Sequence, residues 1–241
     1  METDRGTDVA ARNPETIRRM FSVISPWYDF LNHLLSFNLD RRWRRVLIEA
    51  AEPKPGERIL DVCTGTGDVA IAFTRRIEGG GQIIGLDFSG RMLHIGREKL
   101  VRGQLNRVSL LQGDALDLPF ADGQFGIVTI AFGLRNLKDY RQGISEMSRV
   151  LAPEGQLLIL EFSLPRGRFG HLYHFYLQRL LPQIGGLFSR RLSAYRYLAN
   201  SIQDFPERED ILALMAEQGL ENLKTRDLTR GIVTVYCGEK R

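Results

Sequence analysis

Cysteine is scarce in this chain of 241 residues: Cys63 and Cys237 stand alone in separate strand-like surroundings. Two cysteines so placed make no disulfide framework, and a reducing cytoplasm suits them. No zinc-type spacing is present, so no metal site is expected. Long apolar runs are also missing. The nearest candidate, Tyr173 to Phe188, is broken by Gln178, Arg179, Pro182 and Gln183, whereas a membrane-spanning helix needs about 20 apolar residues without such breaks. The opening residues, METDRGTDVAARNPE, hold no apolar signal core, which again favours the cytoplasm. Charge excess is small, with a net charge of +4. No aromatic-rich RNA-binding signature accompanies it, so nucleic acid is not an expected partner. No internal repeat is found.

What is present is ordinary for a globular protein: 43% apolar and 26% charged residues, in a length that fits one large α/β domain over 1–241. Residues 1–13 are polar and aperiodic, as in a disordered tail. Residues 14–52 predict an N-terminal helical cap. Pro14 opens it, Ile17, Met20, Phe21 and Ile24 recur at helix spacing, and Pro26 interrupts it. Asp40 is placed to cap a later helix carrying Trp43, Val46 and Leu47. Arg41, Arg42, Arg44 and Arg45 ring that helix. They read either as a solvated face or as a surface for anionic lipid headgroups.

From Pro53 the pattern alternates. Strands are predicted at Arg58–Val62, Gln82–Leu86, Arg107–Gln112, Phe125–Ala131 and Gln156–Phe162, and helices at Asp68–Arg76, Gly90–Leu100 and Tyr140–Leu151. Such repeats specify a doubly wound, mostly parallel sheet with helices on both faces. A helical insertion at 164–200, aromatic and basic, stops the alternation. It precedes a last helix, Glu207–Gln218, and a closing hairpin of Asn222–Arg226 and Ile232–Cys237, which brings the sheet to seven strands.

The chain is organised around Ile59–Ala70, ILDVCTGTGDVA, an apolar run ending in a turn with Gly65 and Gly67. Glycines there let a ligand approach the backbone. Gly65-x-Gly67-x-x-Ala70 fits a dinucleotide fingerprint, but Asp61 and Asp68 flank the turn. Two carboxylates repel a pyrophosphate and suit an ammonium group. The next strand ends in Asp87, which can hold ribose hydroxyls, and Asp114-Ala115 follows the third, where a carboxylate can accept an adenine amine. These acidic strand ends favour S-adenosylmethionine. A dinucleotide-binding oxidoreductase is the rival.

Longer blocks point further. Tyr28-Asp29-x-x-Asn32 with Leu35-Ser36 and Trp43, Phe132-Gly133-Leu134-Arg135-Asn136, Arg149-Val150-Leu151 with Glu161-Phe162-Ser163, and Tyr195-Arg196-Tyr197-Leu198-Ala199 stand in order along the chain. In these the sequence resembles the ubiquinone/menaquinone biosynthesis C-methyltransferases, a family of Rossmann-like class I S-adenosylmethionine-dependent methyltransferases. It departs from the family pattern at Asp40, where a histidine is usual, at Ala131, where serine is common, and in the turn Ala152–Gly155. Cys63 stands where methyltransferases in general have the first glycine of the turn.

The resemblance implies methylation of a ring carbon of a polyprenylated quinol, either demethylmenaquinol or a methoxy-polyprenyl benzoquinol. It implies cofactor contacts at Asp61, Gly65, Thr66, Gly67, Asp87, Asp114, Ala115 and Ala131. Tyr28 and Asn136 would orient the acceptor, Arg135 would stabilise a developing phenolate, and Asp29 or a water would take the proton. Structural readings compete: Tyr28 as a core aromatic and Asp29 as a helix cap. His33, His94, His171 and His174 are read as structural. The apolar tail of the substrate implies peripheral contact with the inner face of the membrane, through the N-terminal helices and the insertion. A homodimer is left open, as are methylation of another small molecule and a non-catalytic role.

Overall fold

The computed structural model describes residues 33, 36–77, 79–180 and 192–241. The expected tail, the first helix of the cap, Tyr28, Asp29 and residues 181–191 of the insertion lie outside the described residues. Within them, one sheet takes the strand order β3-β2-β1-β4-β5-β7-β6. Its strands are β1 (Ile59–Val62), β2 (Ile83–Asp87), β3 (Val108–Gln112), β4 (Phe125–Ala131), β5 (Leu151–Phe162), β6 (Leu220–Leu228) and β7 (Val233–Lys240). The first five run parallel, and β7 enters antiparallel between β5 and β6. This is the doubly wound arrangement read from the sequence.

The centre of the sheet is apolar because it is covered on both faces. All four residues of β1 are buried, and in β4 Phe125, Ile127, Val128 and Ile130 are each at most 1% exposed. One core packs β1, β4 and β5 against α4 (Tyr140–Val150) and α7 (Arg208–Glu217). The other packs α1 (Leu39–Ala51) and α2 (Asp68–Phe73) against the strands, and α3 (Gly90–Gly103) follows β2. Trp43, Val46, Leu47 and Ala51 of α1 are buried at helical spacing. The Trp43 indole N–H donates to the Thr229 hydroxyl at 2.8 Å, across 186 residues. That bond, with the Trp43 ring against Phe132 and Phe162 at 6.0 and 6.1 Å, fixes α1 behind the loop that follows β4.

Three local expectations are corrected. Asp40 is not the cap of α1: Asn38, at φ 61°, holds that position, and Asp40 lies one residue inside with its carboxylate turned to side chains. The fifth strand begins at Leu151, not Gln156. Its pairing with β4 slips between Phe125 and Ile127, so the Ala152–Gly155 turn becomes a bulge inside the strand, with Glu154 at φ 61°. In the closing hairpin β6 is longer at both ends than predicted, and β7 starts one residue later but runs on to Lys240; β6 is an exposed edge whose charged residues hide a strand in the sequence. Of the insertion, α5 (Gly167–Phe175), a wider turn at Tyr176–Leu180 and α6 (Leu192–Gln203) are described.

β1 lies between β2 and β4, so the chain leaves its end in opposite directions on its two sides. Such a reversal opens a crevice at the carboxyl ends of the strands. The crevice floor is tight: a Cβ on Gly133 would sit 2.5 Å from Cβ of Cys63 and 3.0 Å from Cγ1 of Ile130. Gly133→Ala should therefore cost about 1–3 kcal/mol of stability, read from urea unfolding. Adding Cys63→Gly should recover much of that loss relative to Cys63→Gly alone. An undiminished loss in that cycle would rule out the steric cause.

Candidate active site

The glycine turn takes its shape from alternating left-handed residues: Cys63, Gly65 and Gly67 have φ of 55°, 58° and 82°. A Cβ on Gly65 would meet nothing within 4 Å, so this backbone faces open space. Beside it runs a cleft of about 840 Å³, counted to its open mouth and lined by Gly65, Leu86, Asp87, Met92, Asp114 and Ala115, with Ala131, Phe132 and Asn136 at the other wall.

Asp61 is 1% exposed. Its oxygens accept hydroxyl hydrogen bonds from Thr64 at 2.5 Å and Thr129 at 2.8 Å. Burial pushes its carboxyl up to about 6 against the pull of those hydroxyls and of Arg44. Asp87, 5% exposed, accepts the backbone N–H of Gly65 and of Ser89, each at 2.8 Å. Burial raises it to about 6 as well. One carboxylate thus ties the β1 turn to the β2 turn, and each oxygen keeps a second lone pair on a residue that lines the cleft. Asp114 accepts the Leu116 N–H at 2.9 Å through one oxygen and lines the cleft. Thr66 is buried and accepts from Lys99 at 2.8 Å. Ala115 and Ala131 form cleft wall, and Gly67 precedes α2.

Asp68 differs from its sequence reading. Lys99 binds it at 2.7 Å and Arg44 at 3.4 Å, so its charge is already offset and Asp61 is left as the acid facing the turn. Arg44 also leaves the expected ring of surface arginines. Its side chain is 14% exposed and points to Asp40 at 2.6 Å, while Arg41, Arg42 and Arg45 stay exposed. His33 and Ser36 each bind Asp40 at 2.8 Å. Burial alone would raise the Asp40 carboxyl, but His33, Ser36 and Arg44 outweigh it and hold it below its ordinary value. Burial, with the charges of Asp87 and Asp61, pushes the Cys63 thiol well up, which disfavours its thiolate.

The loop after β4 forms the far wall. Phe132 has φ 57°, and its carbonyl accepts from the Arg135 guanidinium at 2.6 Å and the Asn136 amide at 3.3 Å. Arg135 is 5% exposed, bonds Glu161 at 2.7 Å and lies over the Phe162 ring at 5.2 Å. Its guanidinium is thus held among β5 and its own loop. Asn136 accepts from the Tyr197 hydroxyl of α6 at 3.0 Å, across 61 residues. The two blocks GLRN and YRYLA, distant in sequence, meet at the cleft.

A model of the ubiE/COQ5 methyltransferase family matches residues 9–240. The chain belongs to that family. A ubiquinone/menaquinone biosynthesis C-methyltransferase of Geotalea daltonii is 49% identical over 228 residues, covering 94% of this chain and 97% of that protein. A demethylmenaquinone methyltransferase of Thermus thermophilus is 47% identical over 222 residues, 92% of this chain and 100% of that one. Among solved structures, the [4+2]-cyclase SpnF superposes with a TM-score of 0.69 at 18% identity, over 93% of this chain and 94% of that one. A Haemonchus contortus phosphoethanolamine N-methyltransferase bound to S-adenosylhomocysteine superposes at 0.63 and 16% identity, over 83% of this chain and 52% of that one. These two likenesses give the fold; family membership rests on the sequence relatives.

Thr64, Thr129, Lys99 and Arg44 were not singled out in the sequence as binding residues of this site. Only Glu161 carried a signal, as a charged residue in an apolar strand, which calls for a buried partner.

The buried carboxylates have a measurable cost. The folded value of Asp61, about 6, exceeds its ordinary 3.8, so the folded state holds its proton more tightly than the unfolded chain does. The stability it lends is present below pH ~4 and is lost as pH rises through about 6. At neutral pH the cost is on the order of 3 kcal/mol. Asp61→Asn should therefore raise the unfolding temperature of the ligand-free protein at pH 7.5, with a gain that shrinks toward pH 4. A gain independent of pH would contradict this account.

Proposed function

We propose that this member of the ubiE/COQ5 family is an S-adenosylmethionine-dependent C-methyltransferase that alkylates the ring of a polyprenylated quinol, demethylmenaquinol first and the related benzoquinol second. Bound S-adenosylmethionine supplies an electrophilic methyl group on a sulfonium. The residues present fit this cofactor. Open backbone at Gly65 admits it, Asp87 offers lone pairs for ribose hydroxyls, and Asp114 has an oxygen for an adenine amine. Asp61 is the acid for an ammonium group, with Thr66, Gly67, Ala115 and Ala131 completing the walls. Polar groups placed in this way hold reacting partners in line, the main demand of methyl transfer.

The observation that carries the acceptor reading is the bond between Asn136 and Tyr197 at the cleft wall. It joins the two blocks that distinguish this family from methyltransferases at large. Asn136 orients the acceptor hydroxyl, or the water that takes its proton. Arg135, whose charge is offset by Glu161, acts by holding the loop that carries Asn136. Tyr28 and Asp29, outside the described residues, are assigned to the acceptor by the family resemblance alone, Tyr28 as a hydrogen-bond partner of its hydroxyl and Asp29 or a water as proton acceptor. Labelled methyl transfer from S-adenosylmethionine to demethylmenaquinol and to the benzoquinol is the test. Asn136→Ala should lower kcat about 100-fold while S-adenosylhomocysteine still binds. A wild-type protein that binds the cofactor yet methylates neither quinol would sink the reading.

No helix among the described residues is long and apolar enough to cross a membrane. We propose a peripheral contact instead, cytoplasmic and reversible. Phe37 is 79% exposed just before the exposed Arg41, Arg42 and Arg45, and Phe175 of α5 is 54% exposed. An aromatic tip beside basic side chains suits an anionic lipid surface. The protein should float with phosphatidylglycerol vesicles, and Phe37→Ala combined with Arg41→Gln should reduce the floated fraction. Wild-type protein left in the soluble fraction, with and without quinone, would remove this contact.

A further inference from the structure

A second chamber adjoins the cleft and shares Cys63, Gly65, Ala131 and Phe132 with it. Its own lining is polar: the charged Arg44, Asp61 and Asp68 with the hydroxyls of Thr64 and Thr66. Asp68 is bound by Lys99 at 2.7 Å and Asp61 by two threonine hydroxyls. Arg44 is the cation of this lining. It reaches in from α1, and only its Nη1 is engaged, by Asp40 at 2.6 Å and Asp68 at 3.4 Å. Among the described residues no hydrogen bond occupies its Nε or Nη2.

A guanidinium mostly removed from water is costly unless its donors are met. Arg44 is therefore held by one nitrogen and leaves an arginine fork for a planar, two-oxygen anion. The same chamber holds Asp61, close enough for the Arg44 charge to lower its pKa. One acid and one base side by side match an α-amino acid zwitterion, ammonium to Asp61 and carboxylate to Arg44. Asp40 keeps the arginine in place and is itself gripped by His33 and Ser36.

We infer that Arg44 binds the α-carboxylate of the methyl donor, and that Asp40, braced by His33 and Ser36, is the positioning residue that aims it. This rests on the S-adenosylmethionine reading and adds to it a contact that divides the ligand: the amino-acid end depends on Arg44 and the adenosine end does not.

Calorimetric titration with three ligands reads that division. S-adenosylhomocysteine has the whole zwitterion, its decarboxylated analogue keeps the ammonium, and 5′-methylthioadenosine has neither group. Arg44→Gln should weaken S-adenosylhomocysteine about 10- to 100-fold, the range expected of charge-assisted hydrogen bonds. The other two ligands should stay within about twofold by the same reasoning. Arg44→Lys keeps a cation for Asp40 but loses the fork, so it should give a smaller loss confined to the same ligand, and it serves if the glutamine variant does not fold. Asp40→Asn should weaken S-adenosylhomocysteine several-fold without touching 5′-methylthioadenosine, and Asp40→Glu should restore part of it. Equal losses for all three ligands would make Arg44 a purely structural residue and overturn the inference. So would an unchanged affinity for S-adenosylhomocysteine. A wild-type protein that binds none of the three would instead bring down the donor reading itself.

Discussion

Two carboxylates are buried at the carboxyl ends of adjacent strands, and the rest of the site is built to tolerate them. Asp61 and Asp87 are both raised to about 6 by burial, so an intact sheet must offset their cost at neutral pH. Their hydrogen bonds come from hydroxyls and backbone N–H groups, not from a directly bonded cation. Neutral donors order a carboxylate without neutralising it, and so leave it able to attract a positive ligand. Asp68 has the opposite fate, held by Lys99 and Arg44. Negative charge is kept where a ligand can use it and cancelled one turn away.

The other half of the site depends on a buried ion pair. Arg135 and Glu161 are 5% and 0% exposed in their side chains. Such a pair gains little net stability over an apolar pair, yet removing one partner strands the other charge. Its value here is geometric. Glu161 receives both the guanidinium and the backbone N–H of Arg135, and Phe132 holds a left-handed backbone against it. The loop is pinned from β5 on one side and from α6, through Tyr197, on the other.

Those two halves were unequally legible. The half proposed for the donor lies in short motifs at strand ends, and strand ends follow from apolar patterning. Asp61, Gly65, Asp87 and Asp114 could therefore be placed by spacing alone. Arg44 could not. It shared a run with Arg41, Arg42 and Arg45, and only the packing of Trp43 and Leu47 decides which of the four turns inward. Glu161 and Arg135 are 26 residues apart and Asn136 and Tyr197 are 61 apart, so no local pattern pairs them. The bulge in β5 was hidden for another reason: Pro153 and Glu154 read as a turn, and a turn inside a strand carries no signature beyond its ordinary residues.

The division also bears on how fold relates to reaction. A [4+2]-cyclase and an N-methyltransferase superpose on this chain at 18% and 16% identity, so the sheet and its crevice do not choose the chemistry. Sequence identity near one half to quinone C-methyltransferases extends over nearly the whole chain. If the acceptor is chosen there, its selection is a long-range property of packing, set by α6 and β5 acting on one short loop. Substitutions at Glu161 or Tyr197, remote in sequence from the glycine turn, would then alter turnover of the acceptor more than affinity for the donor, because they move the wall that the ring meets and leave Asp61 and Asp87 where they stand.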